Sequence, residues 1–404
     1  MHPSRDRLRA DTGFRGAAAR LIDEADALDP AEFVVRVYDL LARVGDAHTV
    51  VIPYTIQLPE FERRLPIEVG RFDDGYYVVA GSGPATTLVG ARLLSVGGVA
   101  TEEVVRRFAA VLPADNPGWP SRWAHLALTT PGWLRGLGVI ATGLGAPVEV
   151  TGLAAGGDTV RALVLDGAPS DGERRVSRSP TLVERWLDEE PSENFVRVLP
   201  HRRALYVSLA SMSDTDGRSF ATFDSLWRRA MEEPGIERMV IDLRDNGGGN
   251  NMLVEPMRRR IVRSRFNRFG RLYVLIGPVT FSAAQNFATR LERETDALFV
   301  GEPTGGRPNH LGDPELLVGA ATGGTYLVST MRWQDSPPYD ERPWILPDLP
   351  APPGFGDYLA GVDEALDMAL DHQATGPENV DRWVRPWARP SQKAAWRFPW
   401  QAGQ

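Results

Sequence analysis

Two neighbouring stretches of this chain decide its fold. The first, VIDLRDNGGGNN at residues 240–251, is an apolar run that ends abruptly in three glycines. The second, LYVLIGPVTFSAAQN at residues 272–286, is an apolar run broken by Gly-Pro, followed by a serine and a helical pattern. Short apolar runs bounded by turn residues are typical of buried strands. The sequence therefore predicts two strand–turn–helix units, which indicate an α/β domain.

Ser282 opens the helical pattern of the second stretch. The commonest role of a serine at this position is N-capping. Its other role is that of a nucleophile, because backbone N–H groups at a helix N-terminus favour developing negative charge. The glycine turn supports the nucleophile, since glycine lets backbone donors come close to a ligand oxygen. Ser282 is the candidate nucleophile, and the candidate oxyanion donors are the N–H groups of Gly247, Gly248, Gly249 and Ala283.

A third motif, VGEPTGG at residues 300–306, follows the other two. Together they resemble the serine peptidases that include C-terminal-processing proteases, the tricorn core and interphotoreceptor retinoid-binding protein. The resemblance covers residues 203–370 and implies a crotonase-like ββα spiral. It also implies acyl transfer from a peptide or protein amide to Ser282, with no metal or organic cofactor. The residues expected to contact the substrate are Asn246, Thr280, Thr304 and Gly305.

The lysine count constrains the general base. Family members that process C-termini use a Ser–Lys dyad, but Lys393 is the only lysine among the 45 basic residues. It stands in a polar tail near Pro390, a poor place for a desolvated base. In the tricorn-like and retinoid-binding branches, an Asp-Gly-His-Thr segment supplies a histidine base. Here DAHT at residues 46–49 resembles that segment, with alanine for glycine, so His48 is the candidate base.

The third catalytic group is predicted from Pro-Asp at residues 347–348, which resembles a late motif of the family. In the tricorn branch a glutamate shortly before that proline orients the catalytic group, and this indicates Glu341. The family's glycines are replaced here by Arg-Pro-Trp at residues 342–344. Asp340 and Asp335 are alternatives, and acidic residues in a proline-rich loop are often simply solvated.

The chain is long enough for several domains. The sequence predicts five segments: a helical segment with the candidate base (1–62), a PDZ-like β-rich module with a helical insertion (63–168), a linker or loop (169–200), the crotonase-like catalytic domain (201–375) and a Trp-rich tail (376–404). The PDZ-like module either captures a substrate strand by β-augmentation or serves as a scaffold that shapes the cleft. The tail either packs on the chain's own surface or docks to a partner, including a second copy in a homo-oligomer.

Composition excludes several classes of protein. The absence of cysteine removes disulfides, thiol nucleophiles and thiolate metal sites. A net charge of −8 argues against nucleic-acid and anionic-membrane partners, and the glycine turn lacks the Gly-Lys-Ser/Thr of a phosphate loop. No apolar run approaches the ~20 residues of a membrane span. Because no apolar signal segment follows the first residues, we expect a cytoplasmic protein, although a trimmed secreted chain would look the same.

Two other functions use the same scaffold. The family includes a non-catalytic carrier of apolar ligands, and Trp119, Trp123 and Trp133 would suit an apolar cleft. Transfer of the acyl group to an amine, including peptide cyclisation, would use the same residues as hydrolysis. Only the access of water distinguishes these two reactions.

Overall fold

The computed structural model describes residues 1–167, 174–179, 194–214, 219–319 and 322–373. The chain divides into two compact units. The first comprises Met1–Arg178 and Leu311–Arg332, and the second comprises Ser179–His310 and the described residues from Trp333 onward. The predicted Trp-rich tail and most of the predicted linker lie outside the described residues.

The described residues form both helices and strands. The helices are α1 (Arg5–Ala10), α2 (Thr12–Glu24), α3 (Pro30–Ala42), α4 (Pro59–Glu62), α5 (Thr101–Val111), α6 (Trp119–Thr129), α7 (Pro131–Gly136), α8 (Phe220–Met231), α9 (Asn251–Arg263), α10 (Ala283–Glu294), α11 (Phe355–Ala360) and α12 (Glu364–Asp371). The strands are β1 (Val50–Val51), β2 (Ile67–Phe72), β3 (Gly75–Gly81), β4 (Arg92–Val96), β5 (Val99–Ala100), β6 (Val148–Leu153), β7 (Thr159–Val164), β8 (Arg174–Arg175), β9 (Phe195–Leu199), β10 (Ala204–Ser208), β11 (Arg238–Asp242), β12 (Leu272–Ile276), β13 (Leu298–Gly301), β14 (Asn309–Val318), β15 (Thr325–Gln334) and β16 (Leu349–Pro350). The predicted α/β class is confirmed.

The second unit contains a six-stranded sheet in the order β16-β13-β12-β11-β10-β9. All neighbours pair in parallel except β9, which is antiparallel to β10. Ile241 and Val274 lie in a core shared with α8, α9 and α10, whereas Val240 and Tyr273 lie in a core shared with α12. Because strand side chains alternate between two buried faces, these strands appear in the sequence as continuous apolar runs.

The carboxyl ends of β11, β12 and β13 lie at the same edge of this sheet, because the three strands are parallel neighbours. The glycine turn follows β11, the Ser282 turn follows β12, and the loop at residues 302–306 follows β13. Ligands bind at this kind of edge in open α/β sheets. The topology therefore brings the three sequence motifs together.

The first unit contains a seven-stranded sheet with the central order β2-β3-β4-β6-β7, in which β5 pairs with β4 and β8 with β3. The helices of the first unit pack around Trp133, whose ring makes edge contacts with Tyr38, Phe61 and Phe108. A second sheet has the order β1-β15-β14, so residues from late in the chain complete a sheet that begins next to the DAHT segment.

The five predicted segments each assign a continuous stretch of chain to one domain. In the structure the first unit is discontinuous, since it also includes residues 311–332. The segment boundaries, the PDZ-like module and the spiral arrangement stay predictions. Among the described residues, no helix combines the length and apolar character that crossing a membrane requires.

Arg244 joins the end of β11 to the start of α12. Its guanidinium lies 2.6 Å from a carboxylate oxygen of Asp242 and 2.6 Å from one of Asp363, and all three side chains are nearly buried. Asp363 also caps α12 by accepting the Leu366 N–H. Burial opposes the charge of Arg244, but the two carboxylates outweigh it and hold the pKa above its usual range. The ion triad thus fixes the strand that carries the glycine turn.

Arg244→Met should destabilise the second unit strongly. The substitution leaves two buried carboxylates without their counter-charge, so we expect a loss of about 3–5 kcal/mol in the free energy of unfolding, measured by urea denaturation. Arg202→Met is the control, because it removes an exposed ion pair with Asp371 and should cost at most ~1 kcal/mol. Equally small losses in both variants would contradict the structural role of the triad.

Candidate active site

Ser282 stands in the turn between β12 and α10 in an unusual backbone conformation. Its φ is 53° and its ψ is −125°. A positive φ is uncommon for residues other than glycine and stores strain, which clusters at functional sites. Nucleophilic serines on sharp strand-to-helix turns share this feature. Within the described residues the Ser282 side chain forms no capping hydrogen bond, so the N-cap role is not the one that the structure shows.

Gly248 brings the glycine turn against Ser282. A Cβ atom at Gly248 would lie 2.6 Å from Ser282 Cβ and 3.1 Å from both Ser282 Oγ and the Ala283 nitrogen. The φ of Gly248 is +117°, a conformation that side chains rarely adopt. Only glycine fits this position, for both reasons. The two motifs predicted to act together are therefore in direct contact.

The predicted oxyanion donors differ in their hydrogen bonding. The Gly248 N–H donates to Asn246 Oδ1 at 2.8 Å, so this donor is already engaged. Within the described part of the chain, the N–H groups of Gly249 and Ala283 have no hydrogen-bond acceptor. Ala283 is the first residue of α10, where the N–H has no partner within the helix and the helix dipole favours an anion. The Gly247 N–H has no acceptor within the described residues either, so Gly247, Gly249 and Ala283 can each donate, and their role as oxyanion donors stays a prediction.

Thr280 and Asn246 tie the turns together beneath Ser282. The Thr280 hydroxyl donates to the Leu243 carbonyl at 2.8 Å and accepts the Gly277 N–H at 3.1 Å. The Asn246 side-chain amide donates to the Leu209 carbonyl, in the loop after β10, at 2.6 Å. Both side chains are fully buried. They hold the ends of neighbouring strands at a fixed separation, and their contact with substrate stays a prediction.

Thr304 and Gly305 occupy the third loop of the same edge. The buried Thr304 hydroxyl donates to the Gly306 carbonyl at 3.1 Å and accepts the Ile345 N–H at 3.0 Å. The Gly305 N–H donates to the Thr280 carbonyl at 3.1 Å. These bonds fasten the loop after β13 to the serine turn. A role in substrate binding stays a prediction here as well.

Two of the acids considered in the late acidic loop differ sharply in their surroundings. Glu341, the predicted orienting acid, is exposed to solvent. Asp335 is buried and its carboxylate lies 2.8 Å from Nε of Arg290 on α10. Asp335 therefore serves as an ion-pair partner of the helix that follows Ser282. The orienting role of Glu341 stays a prediction.

Asp340 belongs to a second ion-pair group on the same helix. It accepts a hydrogen bond of 2.5 Å from the Ser336 hydroxyl and lies 2.9 Å from the guanidinium of Arg342, which also binds Glu292 of α10 in a bidentate pair. Burial raises the pKa of Asp340, but the Arg342 guanidinium and the Ser336 hydroxyl outweigh it and lower the pKa overall. The carboxylate is thus charged and engaged in bracing α10.

His48 lies in the first unit, in the turn between α3 and β1, and is 4% exposed. Asp46 Oδ1 accepts the His48 N–H at 2.9 Å, and Asp46 Oδ2 accepts the Thr49 hydroxyl at 2.6 Å. The Thr49 hydroxyl in turn accepts the N–H of Ser329 on β15 at 3.2 Å. The sequence indicated His48 but not the part played by Asp46. The sequence did contain a signal for this role of Asp46. An aspartate shortly before a threonine is typical of a turn in which the carboxylate accepts hydrogen bonds from the following residues.

The tryptophans that suggested an apolar cleft have other surroundings. Trp133 and Trp119 are 1% and 6% exposed. Trp123 stacks with the guanidinium of Arg122, which lies 4.6 Å from the ring centroid. Trp133 belongs to the core of the first unit, and none of these contacts favours a ligand cleft.

Fold and site together define a mixed α/β protein with a serine on a strained turn at the edge of a parallel sheet. Among solved structures the chain is similar to mature CPAF, at 13% identity over 93% of this chain and 95% of that chain, with a TM-score of 0.59. Similarity to CPAF complexed with lactacystin is also 13% identity, over 90% and 92%, with a TM-score of 0.61. The likeness shows that the two chains share a fold.

Two further solved structures are similar at lower TM-scores. The photosystem II D1 C-terminal processing protease is 16% identical over 82% of this chain and 87% of that chain, at a TM-score of 0.36. The tricorn protease is 14% identical over 76% of this chain and 29% of that chain, at a TM-score of 0.32. No protein-family model and no curated protein matches the chain.

Gly248→Ala should reduce the reactivity of Ser282. The added methyl group must displace the serine or the glycine turn, and a misplacement of about 1 Å can cost on the order of 10²-fold in rate. The measurement is the rate of covalent labelling by a fluorophosphonate. The control is Gly235→Ala, because Gly235 has a φ of +80° but open space around an added Cβ. Equal loss of labelling in both variants would show that general destabilisation, rather than the contact with Ser282, is responsible.

Proposed function

We propose that the chain is a serine-type peptidase that cleaves amide bonds of peptide or protein substrates through an acyl-enzyme on Ser282. The observation that carries this proposal is the strained Ser282 turn, packed directly against Gly248 at the carboxyl edge of a parallel sheet. The fold shared with CPAF and the sequence resemblance to serine peptidases support the same class of reaction. The preference for amides over esters rests on the resemblance.

The proposed reaction begins with attack of Ser282 Oγ on the substrate carbonyl carbon. The new C–O bond places negative charge on the carbonyl oxygen, which the N–H groups of Gly249 and Ala283 would stabilise. Removal of one such donor typically costs about 2.7–4 kcal/mol of transition-state stabilisation. Collapse of the intermediate expels the amine, and water then hydrolyses the acyl-enzyme.

We propose His48 as the general base, which takes the proton of Ser282 and returns it to the leaving amine. His48 lies in the first unit and Ser282 in the second, so their pairing rests on the resemblance to the histidine-base branch of the family. Its burial in a turn fixed by hydrogen bonds also supports the role. His310 is the alternative base in the second unit, where it is 5% exposed and its Nδ1 lies 3.0 Å from the Arg307 carbonyl.

The orienting role of Glu341 belongs to the same proposal and rests on the resemblance alone. A binding protein for apolar ligands or peptides and an acyl-transfer or cyclising enzyme remain the alternative functions. A protein that fails to react with serine-directed probes would favour the binding protein. Amine-containing products formed in place of hydrolysis products would favour transfer.

Ser282→Ala should abolish labelling by a fluorophosphonate while the melting temperature stays near that of the wild type. Alanine keeps the small size of the side chain, and no capping bond is lost. Lactacystin, with which CPAF forms a complex, is a second probe of the same serine. Lys393→Met is the control and should label like the wild type, since Lys393 is the one lysine that could replace a histidine base. Full activity in a folded Ser282→Ala protein would end the proposal.

His48→Gln should lower the acylation rate by about 10²–10⁴-fold, the usual effect of losing a general base. His310→Gln should acylate at nearly the wild-type rate. Both rates are measured from the time course of fluorophosphonate labelling of Ser282. Circular dichroism confirms that each variant is folded. If His310→Gln silences the protein and His48→Gln does not, the base lies in the second unit.

A further inference from the structure

The turn that carries His48 contains a buried carboxylate outside the predicted catalytic set. The side chain of Asp46 is fully buried and lies two residues before the imidazole. We propose that Asp46 is the positioning residue of His48, because its carboxylate fixes the turn and places a permanent negative charge beside the imidazole. The catalytic consequence rests on the proposed function, whereas the coupling between the two side chains does not.

Hydrogen bonds account for the fixed geometry. Each carboxylate oxygen of Asp46 accepts a different hydrogen bond. Oδ1 accepts the His48 backbone N–H at 2.9 Å, and Oδ2 accepts the Thr49 hydroxyl at 2.6 Å. Through the Thr49 hydroxyl, which accepts the Ser329 N–H, the turn is also fastened to β15. His48 is therefore anchored at its own backbone and at the following residue. The backbone that carries the imidazole is therefore held in place.

The charge of Asp46 is maintained despite its burial. Burial acts to raise the pKa of Asp46 and is the largest single effect. The hydroxyls of Ser329 and Thr49, the His48 N–H and the charge of the His48 imidazole together outweigh it, so the pKa is lowered overall. A charged carboxylate in a buried site interacts with a neighbouring imidazole far more strongly than one in water.

Two other titratable groups face the same turn. His2 Nε2 lies 3.3 Å from Asp46 Oδ2, and because His2 Nδ1 accepts a backbone N–H, the neutral ring donates from Nε2. Asp115 Oδ1 accepts the Ala47 N–H at 3.1 Å. Any measurement of pH dependence must therefore separate the effect of Asp46 from those of His2 and Asp115.

The other acids near the predicted site serve different partners. Glu341 is exposed, and Asp335 and Asp340 are bound to Arg290 and Arg342. Asp46, by contrast, interacts electrostatically with His48 itself. The geometry thus places the negative charge for the base in the first unit, next to the base in sequence.

The test is Asp46→Asn in the full chain, because asparagine keeps the acceptor for the His48 N–H and removes the charge. The titration of His48 is followed by NMR of histidine-labelled protein, with the signal assigned from His48→Gln. Loss of a nearby negative charge disfavours the protonated imidazole, so the titration midpoint should fall by about one pH unit. The acidic limb of the labelling rate should move by the same amount. At pH 7 we expect labelling to slow by about tenfold, since a less basic imidazole is a weaker general base.

Three controls separate positioning from stability. Thr49→Val breaks the hydrogen bond but keeps the charge, so it should lower the melting temperature without moving the midpoint. His2→Gln and Asp115→Asn, each combined with Asp46→Asn, should leave the Asp46 shift in place. An unchanged midpoint in folded Asp46→Asn would overturn the proposal, as would a moved midpoint with an unchanged labelling rate. If the wild type is not labelled at all but the midpoint moves, the coupling stands and the proposed peptidase function falls.

Discussion

The candidate site depends on one close approach, that of the Gly248 backbone to Ser282. A single added carbon at Gly248 would overlap the serine side chain. The approach exists because β11 and β12 are parallel neighbours in fixed register. In addition, the Thr280 hydroxyl joins the loops that follow these two strands by hydrogen bonds to Leu243 and Gly277. Each strand end thus restrains the next. The strain stored at Ser282 is maintained by this packing, as expected where surrounding structure determines an unfavourable conformation.

Charged groups hold this edge of the sheet in place without taking part in the proposed chemistry. Arg244 binds two buried carboxylates and fastens α12 to β11. Arg342 joins Asp340 to Glu292 and so braces α10. Buried ion pairs contribute little net stability compared with apolar packing, but removal of one partner is costly. Such pairs therefore restrict the positions of α10 and α12 more than they raise the stability of the unit.

Local sequence patterns predicted the central sheet and the meeting of Gly248 with Ser282, since both follow from apolar runs and turn residues of adjacent elements. The pairing of β1 with β15 was not predictable in this way. Val50 pairs with Leu327, and periodicity carries no information on contacts so distant in sequence. The patterns also could not tell substrate contacts from scaffold contacts. Asn246 and Thr304 occur in recognisable motifs and their side chains bond to the backbone, while their contact with substrate stays a prediction.

Counting along the chain indicated Glu341 as the orienting acid, and that role stays a prediction. A carboxylate that acts on a base must be shielded enough from water for its field to reach the base, and bonded well enough to stay charged. At about 4 Å, two unit charges interact by ~1 kcal/mol in water but by ~4 kcal/mol at the effective dielectric constant of a protein surface. Glu341 is exposed to solvent, whereas Asp46 has both the burial and the hydrogen bonds. Each candidate residue is therefore held by local contacts of its own unit, Ser282 in a strained turn and His48 in a turn fixed by a buried carboxylate. The contacts that hold Ser282 and those that hold His48 involve different residues.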